Sequence, residues 1–293
     1  MTKILFPTDL THRSREAFEW SVEFAKTNRF SIQVFRSFSG AGRTAPQFLT
    51  KKSNSTDLDK LRQFAELHGR NQPRVTYKAT EGRAADKIIE AEATNEYGLV
   101  VMNKKAVYHR MDRWWGTCTS QVAARSHTPV LVLPPGLEFK HFRNILISMG
   151  DYEEVGSSYR QFGIRLAQYY NAHLHEVKVV KPSAGWKQSM RPIPGVQTIH
   201  HSLEIPHTNI ADTLIEYAAS HQIDLIIQLT RPRSQWYRWI RESFTEKMIF
   251  ATPIPLLILK TNFVDTQDLS YFTPDKMTIL DPKQRSKYAG MVG

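Results

Sequence analysis

A chain of 293 residues with 41% hydrophobic and 23% charged content can bury two ordinary cores, one per half, so two domains is the natural count. Its formal net charge of +11 favours anionic partners, and the single cysteine, Cys118, excludes an internal disulfide framework and a cysteine-built zinc cluster. No apolar run reaches the roughly 18 residues of a membrane span and Met1 to Asp9 reads as a strand, not a leader, so a soluble, cytoplasmic protein is expected.

Ile4 to Pro7 is a short apolar run that predicts the first strand, with Asp9 just beyond its end and Thr11 and Ser14 placed to cap a helix. That helix, His12 to about Lys26, spaces Ala17, Trp20, Val22, Phe24 and Ala25 along one face. Ile32 to Phe38 predicts the second strand. Ser39 to Thr56 is polar and dotted with Gly and Pro, and predicts a long loop. Helical spacing returns over Leu58 to His68, a third strand follows at Val75 to Thr80, and a helix at Ala84 to Asn95 turns Ile88 and Ile89 inward. Leu99 to Met102 is the fourth strand, and Pro129 to Leu133, β-branched and proline-bounded, is the fifth. Between them Gly116 and Thr117 stand where a helix would begin, a place where backbone N–H groups attract anions.

Strands alternating with helices of about a dozen residues call for a parallel sheet covered on both faces, with ligands collecting at the carboxyl ends of the strands. Asp9, the residues after Phe35 and the Asn103 to Thr117 segment all leave strands at that edge.

The plan then repeats. Beyond a linker at Pro134 to Phe142, strands are predicted at Ile145–Met149, Leu174–Val180, Val196–Leu203 and Leu225–Leu229, and helices at Ser157–Tyr170 and Asn209–His221. A single fixed offset lays Leu99 on Leu225, Thr117 on Ser243 and Pro129 on Pro255, and KILFPTD at Lys3 has its counterpart in NILISMGD at Asn144. A repeat this long, opening and closing in strands, marks a duplicated domain.

With KILFPTD, EGRAADKII and the closing GT…TPVLVL, the chain resembles tandem universal stress proteins over roughly residues 2 to 260. The resemblance implies an α/β fold of two tandem five-stranded parallel sheets, Rossmann-like and similar to adenine-nucleotide alpha-hydrolases, packed as a pseudo-dimer through their last strands. The domains would be residues 1–135 and 143–260, with a linker at 136–142 and a tail at 261–293.

Family members that bind ATP are similar in carrying Gly-x2-Gly-x9-Gly-Ser/Thr. Here the register gives Asn103, Ala106 and Gly116-Thr117, and in the second half Leu229, Pro232 and Glu242-Ser243. Ala106 adds a Cβ that restricts positive φ, while Asn103 is the most forgiving substitute for glycine. Pro232 removes an N–H and Glu242 sets a carboxylate where phosphate would lie. The strand-one aspartate that meets the nucleoside in the family matches Asp9; in the second half it falls on Gly150, with Asp151 displaced by one. The resemblance therefore implies at most one weakened nucleotide site, for ATP, at Asp9, Asn103, Ala106, Gly116 and Thr117.

Both loops are rich in cations and aromatics instead, with Lys104, Lys105, Arg110, Arg113, Trp114 and Trp115 in one and Arg231, Arg233, Trp236, Arg238 and Trp239 in the other. Such interleaving can stack bases and neutralise phosphates, or form a protein interface. His173 and His175 share one face of a strand without an evident third metal ligand, and Cys118 sits in a helix's first turn, where a thiol pKa can fall. No nucleophile elbow, Walker lysine or recognised histidine–carboxylate spacing is present. A non-catalytic stress-response binding or adaptor protein is expected. An RNA- or ribosome-associated stress factor and a weak ATPase are the alternatives.

Overall fold

The computed structural model describes residues 2–38, 47–69, 74–94, 96–104, 117–149, 156–180, 197–204, 210–230 and 244–260. The first half runs β1 (Lys3–Pro7), α1 (His12–Asn28), β2 (Ser31–Phe38), α2 (Gln47–His68), β3 (Val75–Glu81), α3 (Ala84–Glu92), β4 (Leu99–Asn103), α4 (Cys118–Arg125) and β5 (Val130–Leu133). The second runs β6 (Asn144–Met149), α5 (Gly156–Tyr170), β7 (His173–Val180), β8 (Thr198–Glu204), α6 (Ile210–Ser220), β9 (Leu225–Thr230), α7 (Phe244–Ala251) and β10 (Leu256–Lys260).

Among the described residues, ten strands form one sheet in the order β3, β2, β1, β4, β5, β10, β9, β6, β7, β8. Every pairing is parallel except the central one, where Leu256, Leu257 and Ile258 of β10 run antiparallel to Val132, Leu131 and Val130 of β5. The order is a palindrome of the duplication: each strand of the first half has its copy at the mirrored place. Because the two halves run in opposite directions, their carboxyl edges lie on opposite sides of the sheet.

The α/β class and the alternation of strands and helices are as the sequence predicts, but the cores are not one per half. They divide by sheet face. One cluster joins Ile4 and Phe6 of β1, Phe18 and Phe24 of α1 and Phe64 of α2 to Tyr159 and Leu166 of α5 and Leu257 and Leu259 of β10. The other joins Leu5 and Val100 to helices α3, α4, α6 and α7, through Ile88, Val122, Leu214 and Met248. Alternate residues of each central strand feed opposite clusters, so each runs unbroken across the seam.

Two further expectations shift. The segment read as a loop to Thr56 is helical from Gln47: Gly40, Gly42 and Pro46, which suggested a loop, all precede it. The segment read as a linker is built into the core: Phe139 meets Trp20 edge-on at 5.3 Å, Phe142 lies 6.4 Å from Trp20 and 5.0 Å from Tyr170, and the Tyr170 hydroxyl donates to Asn28 Oδ1 at 3.0 Å. Helices α1 and α5 are thus joined through a chain of rings, at contacts that favour tilted and edge-on geometry.

The copies can be superposed bond by bond. Helix α1 closes with Arg29 N–H to Lys26 and Phe30 N–H to Ala25, and α5 closes with Asn171 N–H to Gln168 and Ala172 N–H to Ala167. Arg29 and Asn171 are both left-handed, at φ 57 and 51. Carrying this register back, Phe18 and Val34 of the first half correspond to Arg160 and Glu176 of the second. Phe18 stacks on Phe64 of α2, with ring centres 5.2 Å apart. Arg160 Nε instead meets Glu176 Oε1 at 2.7 Å, and the glutamate side chain is fully buried.

Candidate functional site

At the carboxyl edge of the first half the chain leaves β1 through a tightly bonded turn. Thr8 N–H donates to the Phe35 carbonyl at 2.9 Å, tying the turn to β2, and its hydroxyl shares a 2.8 Å hydrogen bond with buried Ser14. Asp9 is exposed, and its Oδ1 accepts from the Thr11 backbone N–H at 3.1 Å and the Thr11 hydroxyl at 2.7 Å. Thr11 in turn caps α1 by accepting from Ser14 N–H. Leu10, between them, takes φ 63, the left-handed region a side chain rarely adopts. The aspartate is thereby held in one orientation at the sheet edge.

From the same edge β4 leads to α4. Asn103 ends β4, and its carbonyl accepts from the Thr119 hydroxyl at 3.1 Å, fastening the first turn of α4 to the strand. Thr117 is the N-cap the sequence predicts, its hydroxyl accepting from Ser120 N–H at 3.2 Å. Arg83, at the N-cap of α3, donates to Gln121 Oε1 at 2.9 Å and draws the start of α3 to α4. Nothing in the sequence flagged that pairing, since Arg83 and Gln121 share no motif. Asp9, Asn103 and Thr117 therefore stand at one edge, each in a defined local bond. Ala106 and Gly116 lie outside the described residues, as do Lys105, Arg110, Arg113, Arg231, Arg233, Arg238 and the tail after Lys260.

Lys104, expected among the anion-binding cations, turns elsewhere. Its backbone N–H donates to the Leu133 carbonyl at 2.8 Å, and its ammonium reaches across the seam to the Thr252 carbonyl at 3.3 Å, just past the end of α7. Burial pushes its amine below the usual lysine range. A lysine the sequence did not flag makes the reverse contact: Lys260, ending β10, donates to the Ala124 carbonyl near the end of α4. Each half thus sets a cation against the carbonyl end of a helix in the other, where the helix dipole favours positive charge.

The antiparallel seam also separates the roots of the two basic loops. Asn103 pairs with Leu133 and Thr230 with Lys260, at opposite ends of the β5–β10 pairing. In the second half Met102 of the first gives way to buried Gln228, whose amide donates to the Thr245 hydroxyl at 2.7 Å, at the start of α7.

The histidine pair on β7 is split by environment: His173 is exposed, while His175 is buried and shares a 2.8 Å hydrogen bond with the Tyr217 hydroxyl. Burial pushes that phenol up to about 12. Among the described residues no cluster of three metal-ligating side chains occurs. Cys118 packs against the apolar cluster of α3 and α4.

Residues 1–134 match the model of the universal stress protein family. The chain is similar to the crystal structure of a universal stress protein from Archaeoglobus fulgidus, with TM-score 0.68 and 16% identity, over 88% of this chain and 96% of that one. It is also similar to a Pseudomonas aeruginosa protein described as functionally unknown, with TM-score 0.57 and 14% identity over 91% and 95% of the two chains. A universal stress protein in complex with cAMP is matched over 45% of this chain and 96% of that chain, at 15% identity and TM-score 0.37. At these identities the likeness to solved structures is one of fold. No curated protein matches by sequence. No helix among the described residues is long and apolar enough to cross a membrane.

Proposed function

We propose that the chain acts as a non-catalytic universal stress protein, a binding or adaptor protein of the stress response, with at most one weakened nucleotide site in its first half. The observation that carries this reading is the asymmetry of the two carboxyl edges. The first keeps an oriented Asp9 and the capped N-terminus of α4 behind Thr117, within the stretch that matches the family. There Asp9 would meet a nucleoside and the start of α4 the phosphates, with Asn103 and Ala106 standing where ATP-binding members have glycines. The second edge has Pro232 and Glu242 at the corresponding sequence positions. Calorimetric titration with ATP tests the proposal: weak binding of one nucleotide per chain, or none, is expected, and micromolar binding of two would refute it.

Net charge favours a second reading, an RNA-associated factor working through Lys105, Arg110, Arg113, Arg231, Arg233 and Arg238. Its mark would be affinity that falls steeply with salt, since phosphate contacts release counterions. RNA retention unchanged between low and moderate salt removes it. A weak ATPase would lose turnover in Asp9→Ala and Thr117→Ala.

A further inference from the structure

Arg83 follows the end of β3 by two residues, at the carboxyl edge of the first half. The turn that carries it is tied to β2: Gly82 N–H donates to the Phe38 carbonyl at 2.9 Å, and the Ser37 hydroxyl donates to the Gly82 carbonyl. The side chain then crosses to α4, where Nη2 donates to Gln121 Oε1 at 2.9 Å. Gln121 lies one turn into α4, and its own N–H donates to the Thr117 carbonyl at 3.0 Å. The guanidinium is thereby held beside the helix start behind Thr117.

Neighbouring charges are committed elsewhere. One turn deeper along both helices Asp86 pairs with Arg125 at 2.5 Å, so the acid in the first turn of α3 is taken. Lys104 turns across the seam to the Thr252 carbonyl, and Arg36 near the end of β2 pairs with Asp57 at 3.0 Å. Arg83 itself is exposed, and among the described residues no carboxylate pairs with it. Its bond to a neutral amide orients the guanidinium without neutralising it, and leaves Nε and Nη1 as donors.

That placement is electrostatically adverse in the free protein. Arg83 is the N-cap of α3, where its side chain caps nothing, and it lies beside the start of α4, so two helices turn their positive ends toward a positive side chain. An anion reverses the sign, accepting from the guanidinium while meeting the field of both helix starts. The duplication supplies a comparison. The offset that lays Thr117 on Ser243 lays Arg83 on Asn209 and Gln121 on Lys247, so the arginine and its amide rest belong to the first copy alone.

We propose that Arg83, oriented by Gln121, binds the phosphate chain of a nucleoside triphosphate at the first-half edge, supplying the cation that Lys104 does not. The nucleoside part rests on the nucleotide reading above, whereas the anion contact belongs to Arg83 itself. The edge accordingly favours ligands with more phosphate charge.

The full chain, labelled with nitrogen-15 at arginine and titrated with ATP, AMP and inorganic triphosphate, tests it by NMR. The Arg83 Nε–H signal, assigned by its loss in Arg83→Gln, is expected to shift saturably with ATP and with inorganic triphosphate. Arg83→Gln should weaken ATP about tenfold or more and AMP less, while Arg83→Lys keeps part of the affinity. Lys3→Gln, which removes a charge at the start of β1, should leave ATP binding as it was. The free Arg83→Gln protein should melt no lower than the parent, a result that a structural role for Arg83 would not give. Equal ATP affinity in parent and Arg83→Gln overturns the proposal and spares the nucleotide reading. Inorganic triphosphate that moves the Arg83 signal while ATP does not bind upholds the anion contact and sinks the nucleotide reading. An Arg83 signal unmoved by either ligand, or an equal loss in Lys3→Gln, overturns the proposal.

Discussion

Replacing Glu176 isolates the cost of the polar pair that stands where the first half keeps Phe18 and Val34. The glutamate is fully buried and Arg160 is 26% exposed at its side chain, so neither charge is well solvated when its partner goes. Removing one member of such a buried pair costs about 3–5 kcal/mol, because the survivor keeps its desolvation penalty without the attraction that offset it. Arg160→Ala, which takes the guanidinium from the deeper carboxylate, should fall at the upper end of that range, and Glu176→Ala at the lower, since the guanidinium can turn partly to water. Changing both at once, Arg160→Phe with Glu176→Val, copies the apolar solution and should recover most of the loss, giving stability within about 1–2 kcal/mol of the parent or above it. Urea unfolding followed by circular dichroism measures all three. A single substitution costing less than about 1 kcal/mol, or a double variant as damaged as the sum of the singles, would refute the claim that this pair is energetically coupled in the core.

Phe142 is 4% exposed and touches Trp20, Phe24 and Tyr170, so Phe142→Ala should cost about 3–5 kcal/mol in the same assay, a loss a mere tether would not show. Burial raises the Glu92 carboxyl above its usual range, against hydrogen bonds from the Ser126 hydroxyl and His127 N–H that lower it. A folded value above the unfolded one means its contribution is complete below the unfolded pKa, near 4.5, and lost as pH rises through the folded one. Glu92→Gln should therefore gain on the parent in melting temperature between pH 4 and pH 7, and a difference that stays flat or falls would contradict this. Lys104→Met removes a cross-seam donor and leaves the Thr252 carbonyl without it, so a loss of about 1–2 kcal/mol is expected, with no matching loss in Lys3→Met, whose partner Glu96 is on the surface.

Much of the frame was legible because it rests on local patterns. Leu99–Met102 and Val130–Leu133 are buried on both sides and read as unbroken apolar runs, and Thr11 and Thr117 announce their helices through caps. What escaped depends on which surfaces meet. Phe139 and Phe142 resemble any linker residues until α1 and α5 flank them, and the division of the core by sheet face follows from β5 pairing with β10, a long-range contact without a local signature. At the site, Asp9 and Thr117 were readable from their places after a strand and before a helix. The turn of Lys104 toward Thr252 was not, since a lysine after a strand reads as a solvent-facing charge until the opposite helix end is in view.

Fusion has changed what either copy could do alone. Val130 to Leu133 is buried along its whole length, and one edge of it, Val130 to Val132, is closed by β10. A protein ending near residue 134 would carry that hydrophobic ribbon uncovered, its hydrogen-bonding groups open to any similar strand, and a second identical piece would be the readiest match. Severed halves should accordingly reassemble in pairs and not persist singly, each recovering from a twin the wall that its sister now provides.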